Sequence, residues 1–505
     1  MGVVEGARVG SLVTGHVPEE PDTQIYPRVR EYVAPAVLAV VMLALGLFRL
    51  GSKPLWQDEG FTWSSATLSG GKLVHHLVHT EATGGLYLVF QHFWVKVGSD
   101  IWWLRLPSVL FATAAVPVLW ALTRRLFDAR TATIAAALLV LNATFLDHVQ
   151  EARTYPLVVL LACTSMYWFV REMESPTRGA RGWWVLTTIL LVFAHVVAGL
   201  VIVAQVVSLL VARPDRRRTR HVALGVGMIA VVVLPFLVLA KSQPLEGPVN
   251  NPTVRFFYNT LRVLAGGGNV LLLVEAVAVG GALWLFVRTY RAHPRTDAAW
   301  RLALPALWFG LSSLLFFLYG QLATGFQQRY LLAFVPGLFI LVARGITSIP
   351  SRAIQAVAVV VVLALAAPGV WRWYDQPREG FDQIASVLVH DRRPGDVIVF
   401  KVDLSRIPVA YYLRDQPGTR RDITPVWPGG PAWMSGFRTG DYRFSAVPPA
   451  VMARVAARND RIWVVDVGAL GSRTRKAIQV LRRTHRRVKD VEVGGAPSLQ
   501  LFVRK

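Results

Sequence analysis

The chain has 505 residues, 53% of them apolar and only 17% charged. Soluble globular domains carry about 25% charged residues, so this deficit excludes an ordinary water-soluble protein and makes lipid the expected solvent. The formal net charge of +23 would suggest nucleic acid in a soluble chain, but the arginines cluster in short loops between apolar runs, where topology signals belong, and no nucleic-acid partner is expected.

In chain order, residues 1–31 are polar, lack the apolar centre of a signal peptide and read as a disordered cytosolic leader. Arg28 and Arg30 hold the N-terminus inside, and the apolar run 32–50 exits to the outer face. An outer loop, 51–100, follows. Its most apolar part, Gly84–Val97, contains Gln91, His92 and Lys96. It is too short and too polar to cross a ~30 Å hydrocarbon core, so it reads as an amphipathic helix lying flat on the outer surface. With that segment flat, the run 101–123 leads inward to Arg124 and Arg125, and 131–146 returns, placing Asp147–Arg153 outside. The run 154–170 re-enters. Trp183–Val211 has Arg on both flanks and reads as a tight helix pair turning near His195–Gly199. The runs 222–240, 267–287, 302–319, 330–343 and 353–370 then alternate in direction, with Lys241–Ala265 as an outer loop.

The expected architecture is therefore a polytopic α-helical membrane protein with about eleven transmembrane helices between 32 and 370. The tail, 371–505, changes character. Val397–Val402, Ile462–Val467 and Gln500–Val503 have strand composition, while Phe381–His390 and Thr474–Arg483 have helical spacing. This predicts a soluble extracytoplasmic α/β domain. The lone Cys163 lies in an apolar segment, so that domain must fold without an intrachain disulfide. Asn142-Ala143-Thr144 matches a glycosylation sequon at the end of an apolar run and carries no functional reading.

Ionisable groups at the ends of spans are costly to keep, so they are where chemistry is sought. Asp58 and Glu59 follow the first span. Adjacent carboxylates beside Trp56 and Phe61 can supply a general base and a metal or hydrogen-bond partner; the plain alternative is Asp58 capping a helix that begins at Glu59. Arg153, in Gln150-Glu151-Ala152-Arg153-Thr154-Tyr155, and Arg329, beside Tyr330, lie on the outer side against the positive-inside trend. They suit anion binding, the alternative for Arg153 being a salt bridge with Glu151 or Asp147. His75, His76 and His79, with Glu81, offer either metal ligands or interfacial side chains. Two carboxylates and two misplaced arginines on one face suit deprotonation of a hydroxyl and stabilisation of a phosphate leaving group.

The sequence resembles the protein O-mannosyltransferase and aminoarabinose-transferase superfamily of polyprenyl-phosphate-dependent glycosyltransferases (glycosyltransferase family 39, GT-C fold). The resemblance rests on Leu55–Glu59, Leu104-Arg105-Leu106-Pro107-Ser108, Gln150–Tyr155, the His195 turn, Arg329–Leu332 with Pro336 and Ala343–Gly345, and Pro394–Ile398 in the tail. It implies a bacterial cytoplasmic-membrane enzyme, N-terminus inside and C-terminal domain outside. Such an enzyme moves a sugar, mannose or arabinose, with inversion from a polyprenyl-phosphate donor to an extracytoplasmic cell-envelope glycan, lipid or protein. It further implies Asp58 as base, and Glu59 orienting the site or joining Asp58 in holding a divalent cation (Mg or Mn). Arg153 and Arg329 are implied at the donor phosphate with Tyr155 and Tyr330 nearby, and Glu81, Glu151 and His195 at the substrate. Many bacterial relatives carry Pro-Pro-Leu-Tyr where this chain has Gly84-Gly85-Leu86-Tyr87. The competing readings are a lipid or glycan transporter, which should place charge at mid-membrane in repeated halves, and a catalytically silent envelope scaffold.

Overall fold

The computed structural model describes residues 25–243, 252–322, 326–427, 433, 447–467, 472–495 and 497–505. Most of the expected leader lies outside the described residues, and its last part is helical: α1 runs Ile25–Leu47.

Three short helices fill the loop that follows: α2 (Gln57–Ala66), α3 (Gly70–His79) and α4 (Gly85–Trp94). Ten residues of helix rise about 15 Å, half a bilayer core, so α4 is too short to cross one. Gly84, just before α4, has φ +90°, a conformation that proline's locked φ forbids. The departure from Pro-Pro in the relatives is thus a different way of turning into this helix.

The helical bundle continues with α5 (Ile101–Leu126), α6 (Ala129–Val140), α7 (Ala143–Val149), α8 (Tyr155–Glu174), α9 (Arg178–Ala194) and α10 (Leu200–Ala212). It is completed by α11 (Arg216–Ser242), α12 (Val254–Leu264), α13 (Asn269–Ala292), α14 (Asp297–Ala306), α15 (Ser312–Leu322), α16 (Val335–Thr347) and α17 (Arg352–Asp375). Polar caps start many of them where the charge pattern places loops. Asp128, Thr177, Asp215, Thr296 and Ser351 each accept a backbone N–H of the following turn. Asn142 caps α7 from a buried position, which removes it as a glycosylation site, and its Nδ2 donates to Leu264 O at 2.7 Å. The chain bends by 62° there, between α6 and α7.

Six described helices, with α14 and α15 continuous as Asp297–Leu322, are long and apolar enough to cross a membrane, or seven if the bent α6–α7 pair is one span; Glu31–Leu47, Val196–Ala212 and Val335–Thr347 are shorter apolar helices. Two details depart from the sequence reading. The expected outer loop 241–265 contains the amphipathic α12, and the helix expected from 330 begins at Val335 after a 3₁₀ turn, with Pro336 in its first turn, where a missing N–H costs nothing. Small residues set the closest crossings: a Cβ on Gly345 would stand 1.9 Å from Ala278 O, and one on Gly225 2.3 Å from Trp184.

Beyond α17 lie α18 (Phe381–Asp391), β1 (Asp396–Phe400), α19 (Arg406–Tyr412), α20 (Pro417–Asp422) and β2 (Ile423–Trp427). Then come α21 (Pro449–Arg458), β3 (Arg461–Asp466), α22 (Ser472–Thr484), β4 (His485–Glu492) and β5 (Ser498–Arg504). The sheet order is β2-β1-β3-β5-β4, parallel among the first three strands and antiparallel at β3–β5 and β5–β4. The two-residue period of β1 divides the core. Ile398 and Phe400 pack with α18 and α19, while Val397 and Val399 pack with α21 and α22. A separate apolar cluster, Leu55, Trp63, Leu104, Ala152, Leu404, Ile407 and Tyr411, joins this domain to the loop that carries α2.

Candidate active site

The segment after α1 is fixed from within by one buried arginine. Arg105, 1% exposed, donates from Nε and Nη2 to the two carboxylate oxygens of Glu59, each at 2.7 Å. Its remaining N–H groups reach the carbonyls of Leu50, Lys53 and Pro54 at 2.9, 3.0 and 3.0 Å. All five guanidinium donors are thereby matched. Glu59 Oε1 also accepts the backbone N–H of Ala152 at 2.9 Å. The helix begins at Gln57 with Trp56 as a cap residue that makes no side-chain cap bond, so Asp58 lies inside the first turn and is not the cap.

Asp58 is thereby free to face two arginines. Arg329 Nη1 lies 2.8 Å from its Oδ2 and Arg153 Nη2 lies 3.8 Å from the same atom; Arg153 Nη1 also donates to the Asp58 carbonyl at 3.3 Å. Arg153 therefore pairs with Asp58 and not with Glu151 or Asp147. The Nε–H groups of Arg153 and Arg329 are buried and have no hydrogen-bond partner. Each arginine opens on its own cavity. Arg329 lines one of about 590 Å³ with Trp56, Phe256, Phe326, Trp373, Arg378 and Glu379. Arg153 lines a smaller one of about 40 Å³ with Glu81, Tyr87, Tyr155, His195 and Tyr330. Ring contacts tie the smaller site together: Tyr330 to His195 at 4.4 Å and to Tyr155 at 6.4 Å between centroids. Burial, reinforced by Asp58 and opposed by Arg153, pushes the Glu81 carboxyl up to about 7.

The large cavity has an acidic corner. Arg378 Nη2 donates to Asp147 Oδ1 at 2.7 Å and to Glu151 Oε1 at 2.8 Å, and His148 Nδ1 lies 2.7 Å from Glu151 Oε2. Asp147, His148 and Glu151 offer three ligand-type atoms within 4.8 Å of one another, the one such group among the described residues. A guanidinium already bridges two of them. Asp58 and Glu59 likewise meet arginines where a cation would have to sit, so neither donor set fits a divalent ion as arranged.

Solved structures with the same architecture come from membrane glycosyltransferases. ArnT from Cupriavidus metallidurans in the apo state aligns at a TM-score of 0.59 with 14% identity, covering 94% of this chain and 98% of that one. The same protein bound to undecaprenyl phosphate aligns at 0.57 with 13% identity, covering 92% and 97%. The archaeal oligosaccharyltransferase AglB from Archaeoglobus fulgidus, in complex with an inhibitory peptide and a dolichol-phosphate, aligns at 0.54 with 11% identity, covering 88% and 70%. Residues 86–239 match the model of the dolichyl-phosphate-mannose-protein mannosyltransferase family. The fold is that of the GT-C superfamily. No curated protein sequence matches the chain.

Within this fold the residues singled out from the sequence converge on one end of the bundle, in distinct settings. Arg153, Arg329, Glu81, Tyr155, Tyr330 and His195 line the two cavities, and Asp58 meets the two arginines; Glu59 is turned into the Arg105 pair, and Glu151 into the Arg378 corner. The histidines of α3 do not assemble: His75 stacks on His79 at 4.2 Å, while the buried His76 lies 3.2 Å from Ser65 Oγ, away from both. Sequence reasoning missed Arg105, Arg378 and Glu379 as site residues. Arg105 carried a signal, a single charge within an otherwise apolar run. Arg378 and Glu379 carried none, because their neighbours at the site lie hundreds of residues earlier in the chain.

Proposed function

We propose that the protein is an inverting glycosyltransferase moving a sugar, mannose or arabinose, from a polyprenyl-phosphate donor to an extracytoplasmic cell-envelope acceptor. The single observation carrying this reading is the position of Asp58 between Arg329 and Arg153, each with an unpaired buried Nε–H and each opening on a different cavity. The aromatic-lined cavity with Arg329 suits the prenyl phosphate and its sugar; the small polar cavity with Glu81, Arg153 and His195 suits an acceptor hydroxyl. The acceptor oxygen attacks the anomeric carbon as its proton passes to the Asp58 carboxylate. The bond from that carbon to the phosphate oxygen breaks on the opposite side, and polyprenyl phosphate leaves with the electron pair. Arg329 meets the charge that develops there, its free Nε–H adding a donor without surrendering the Asp58 contact.

The corresponding topology has about eleven spans in a bacterial cytoplasmic membrane, with α9, α10 and α16 as short inner members. The N-terminus is cytoplasmic and the C-terminal domain extracytoplasmic. The undecaprenyl-phosphate complex of ArnT and the dolichol-phosphate complex of AglB support a lipid-phosphate donor by fold alone. The decisive assay offers the purified protein in lipid nanodiscs decaprenyl-phosphate mannose, arabinose and glucose with an envelope extract as acceptor. Transfer from one of these, abolished in Asp58→Asn, is the expected outcome. Wild-type transfer by Asp58→Asn would refute the base.

A further inference from the structure

The helix that presents Asp58 has no cap of its own, and the cap it uses comes from the other end of the chain. Trp56 makes no side-chain hydrogen bond at the start of α2. The first N–H of a helix has no intrahelical partner, and an anion placed there also meets the positive end of the helix dipole. Glu379 supplies the acceptor, taking the Gln57 backbone N–H on Oε2 at 3.2 Å, 322 residues away in sequence. The neighbouring residues are held as well. Leu55 N–H donates to the Tyr412 hydroxyl of the same domain at 2.7 Å, and Lys53 Nζ donates to the Trp373 carbonyl near the end of α17. Gly60 packs so closely on α19 that a Cβ would stand 3.2 Å from Pro408. Residues 53–60 are thus gripped from inside by Arg105 and from outside by the soluble domain, with Asp58 between the two grips.

We propose that Glu379 is a positioning residue for the reaction: by capping α2 from the soluble domain it sets the direction in which Asp58 meets the acceptor. The soluble domain is then part of the active site and not an appendage. This rests on the reading of Asp58 as the base. Glu379 touches α2 through Gln57 and also lines the Arg329 cavity, so the positioning role is separated from donor binding by comparing the alanine variant with the isosteric glutamine. A displaced catalytic group costs rate steeply, and a shift of about 1 Å can cost about a hundredfold.

The test uses the full chain in nanodiscs and three variants, Glu379→Ala, Glu379→Gln and Tyr412→Phe, with decaprenyl phosphate as binding probe and the active decaprenyl-phosphate sugar for turnover. Glu379→Ala is expected to lower kcat by about tenfold or more, with the Kd for decaprenyl phosphate recorded beside it. Glu379→Gln, whose amide oxygen still accepts the Gln57 N–H, is expected to recover most of that loss, which a general packing defect would not allow. Tyr412→Phe, which strands the Leu55 N–H, should reproduce the kcat loss, and it carries the test alone if the alanine variant does not fold. Wild-type kcat in Glu379→Ala, or equal losses in the Ala and Gln variants, would overturn the positioning role. With Asp58→Asn inactive, that result sinks only this inference; a fully active Asp58→Asn sinks the base assignment and the positioning role with it.

Discussion

Arg105 and Glu59 meet side by side inside the protein, two N–H···O bonds of 2.7 Å between side chains each 1% exposed. The pair joins α5 to the loop that carries Asp58, and the three carbonyls on the same guanidinium shape that loop. Arg105→Ala leaves Glu59 charged and unpaired in the interior and is expected to cost about 3–5 kcal/mol. Arg105→Lys cannot reproduce the fork and should fall nearly as far. Thermal melting in detergent measures both; a melting temperature within a degree or so of wild type would contradict the assignment.

Arg329 and Arg153 share one carboxylate but should separate functionally. Arg329→Ala is expected to weaken decaprenyl-phosphate binding by about 10- to 100-fold, equivalent to about 1.5–3 kcal/mol for a lost charge-assisted hydrogen bond. Arg153→Ala should leave that affinity within about twofold and lower turnover instead, because it lines the other cavity. Titration of fluorescent polyprenyl phosphate against both variants distinguishes them.

Glu81 gives stability a pH dependence of defined sign. Its folded-state pKa near 7 stands above the ordinary value of 4.5 because burial disfavours the carboxylate. A carboxyl raised in the folded state contributes stability that is fully present below about pH 4.5 and lost as pH rises through 7. Glu81→Gln should therefore melt close to wild type at pH 4.5 and above it at pH 8. A gap between the two proteins that is constant with pH would exclude the buried carboxyl as the cause.

The crossing of α13 and α16 leaves no room at Gly345, where a Cβ would stand 1.9 Å from the Ala278 carbonyl. Backbone cannot yield as a flexible side chain does. Gly345→Ala is expected to lose at least about 2 kcal/mol, or to fail to accumulate in membranes, whereas Gly280→Ala, with nothing within 4 Å, should be close to neutral. Parallel expression and melting of the two variants makes the comparison.

Much of this was legible in advance, for a physical reason: lipid forces each apolar run to satisfy its own backbone, so run length and flanking charge nearly determine helix positions. The short helix α4 was readable as a non-spanning element because Gln91, His92 and Lys96 interrupt its apolar stretch. At the site, Asp58, Arg153 and Arg329 stood out as charges at span ends. What the sequence concealed was direction. Asp58 and Glu59 are neighbours, yet one meets Arg329 and Arg153 and the other is consumed by Arg105, and only the start of α2 at Gln57 decides which. The C-terminal residues were unreadable as site residues because no local pattern reports a contact across more than three hundred residues of chain.

That separation also has a temporal side. Leu55 and its hydrogen-bond partner Tyr412 are 357 residues apart. At a synthesis rate of about 5–20 residues per second, the loop bearing Asp58 emerges on the order of half a minute before the side chains that brace it exist. The nascent protein therefore inserts into the membrane with the segment that bears Asp58 unbraced, and it stays so until Tyr412 has been made.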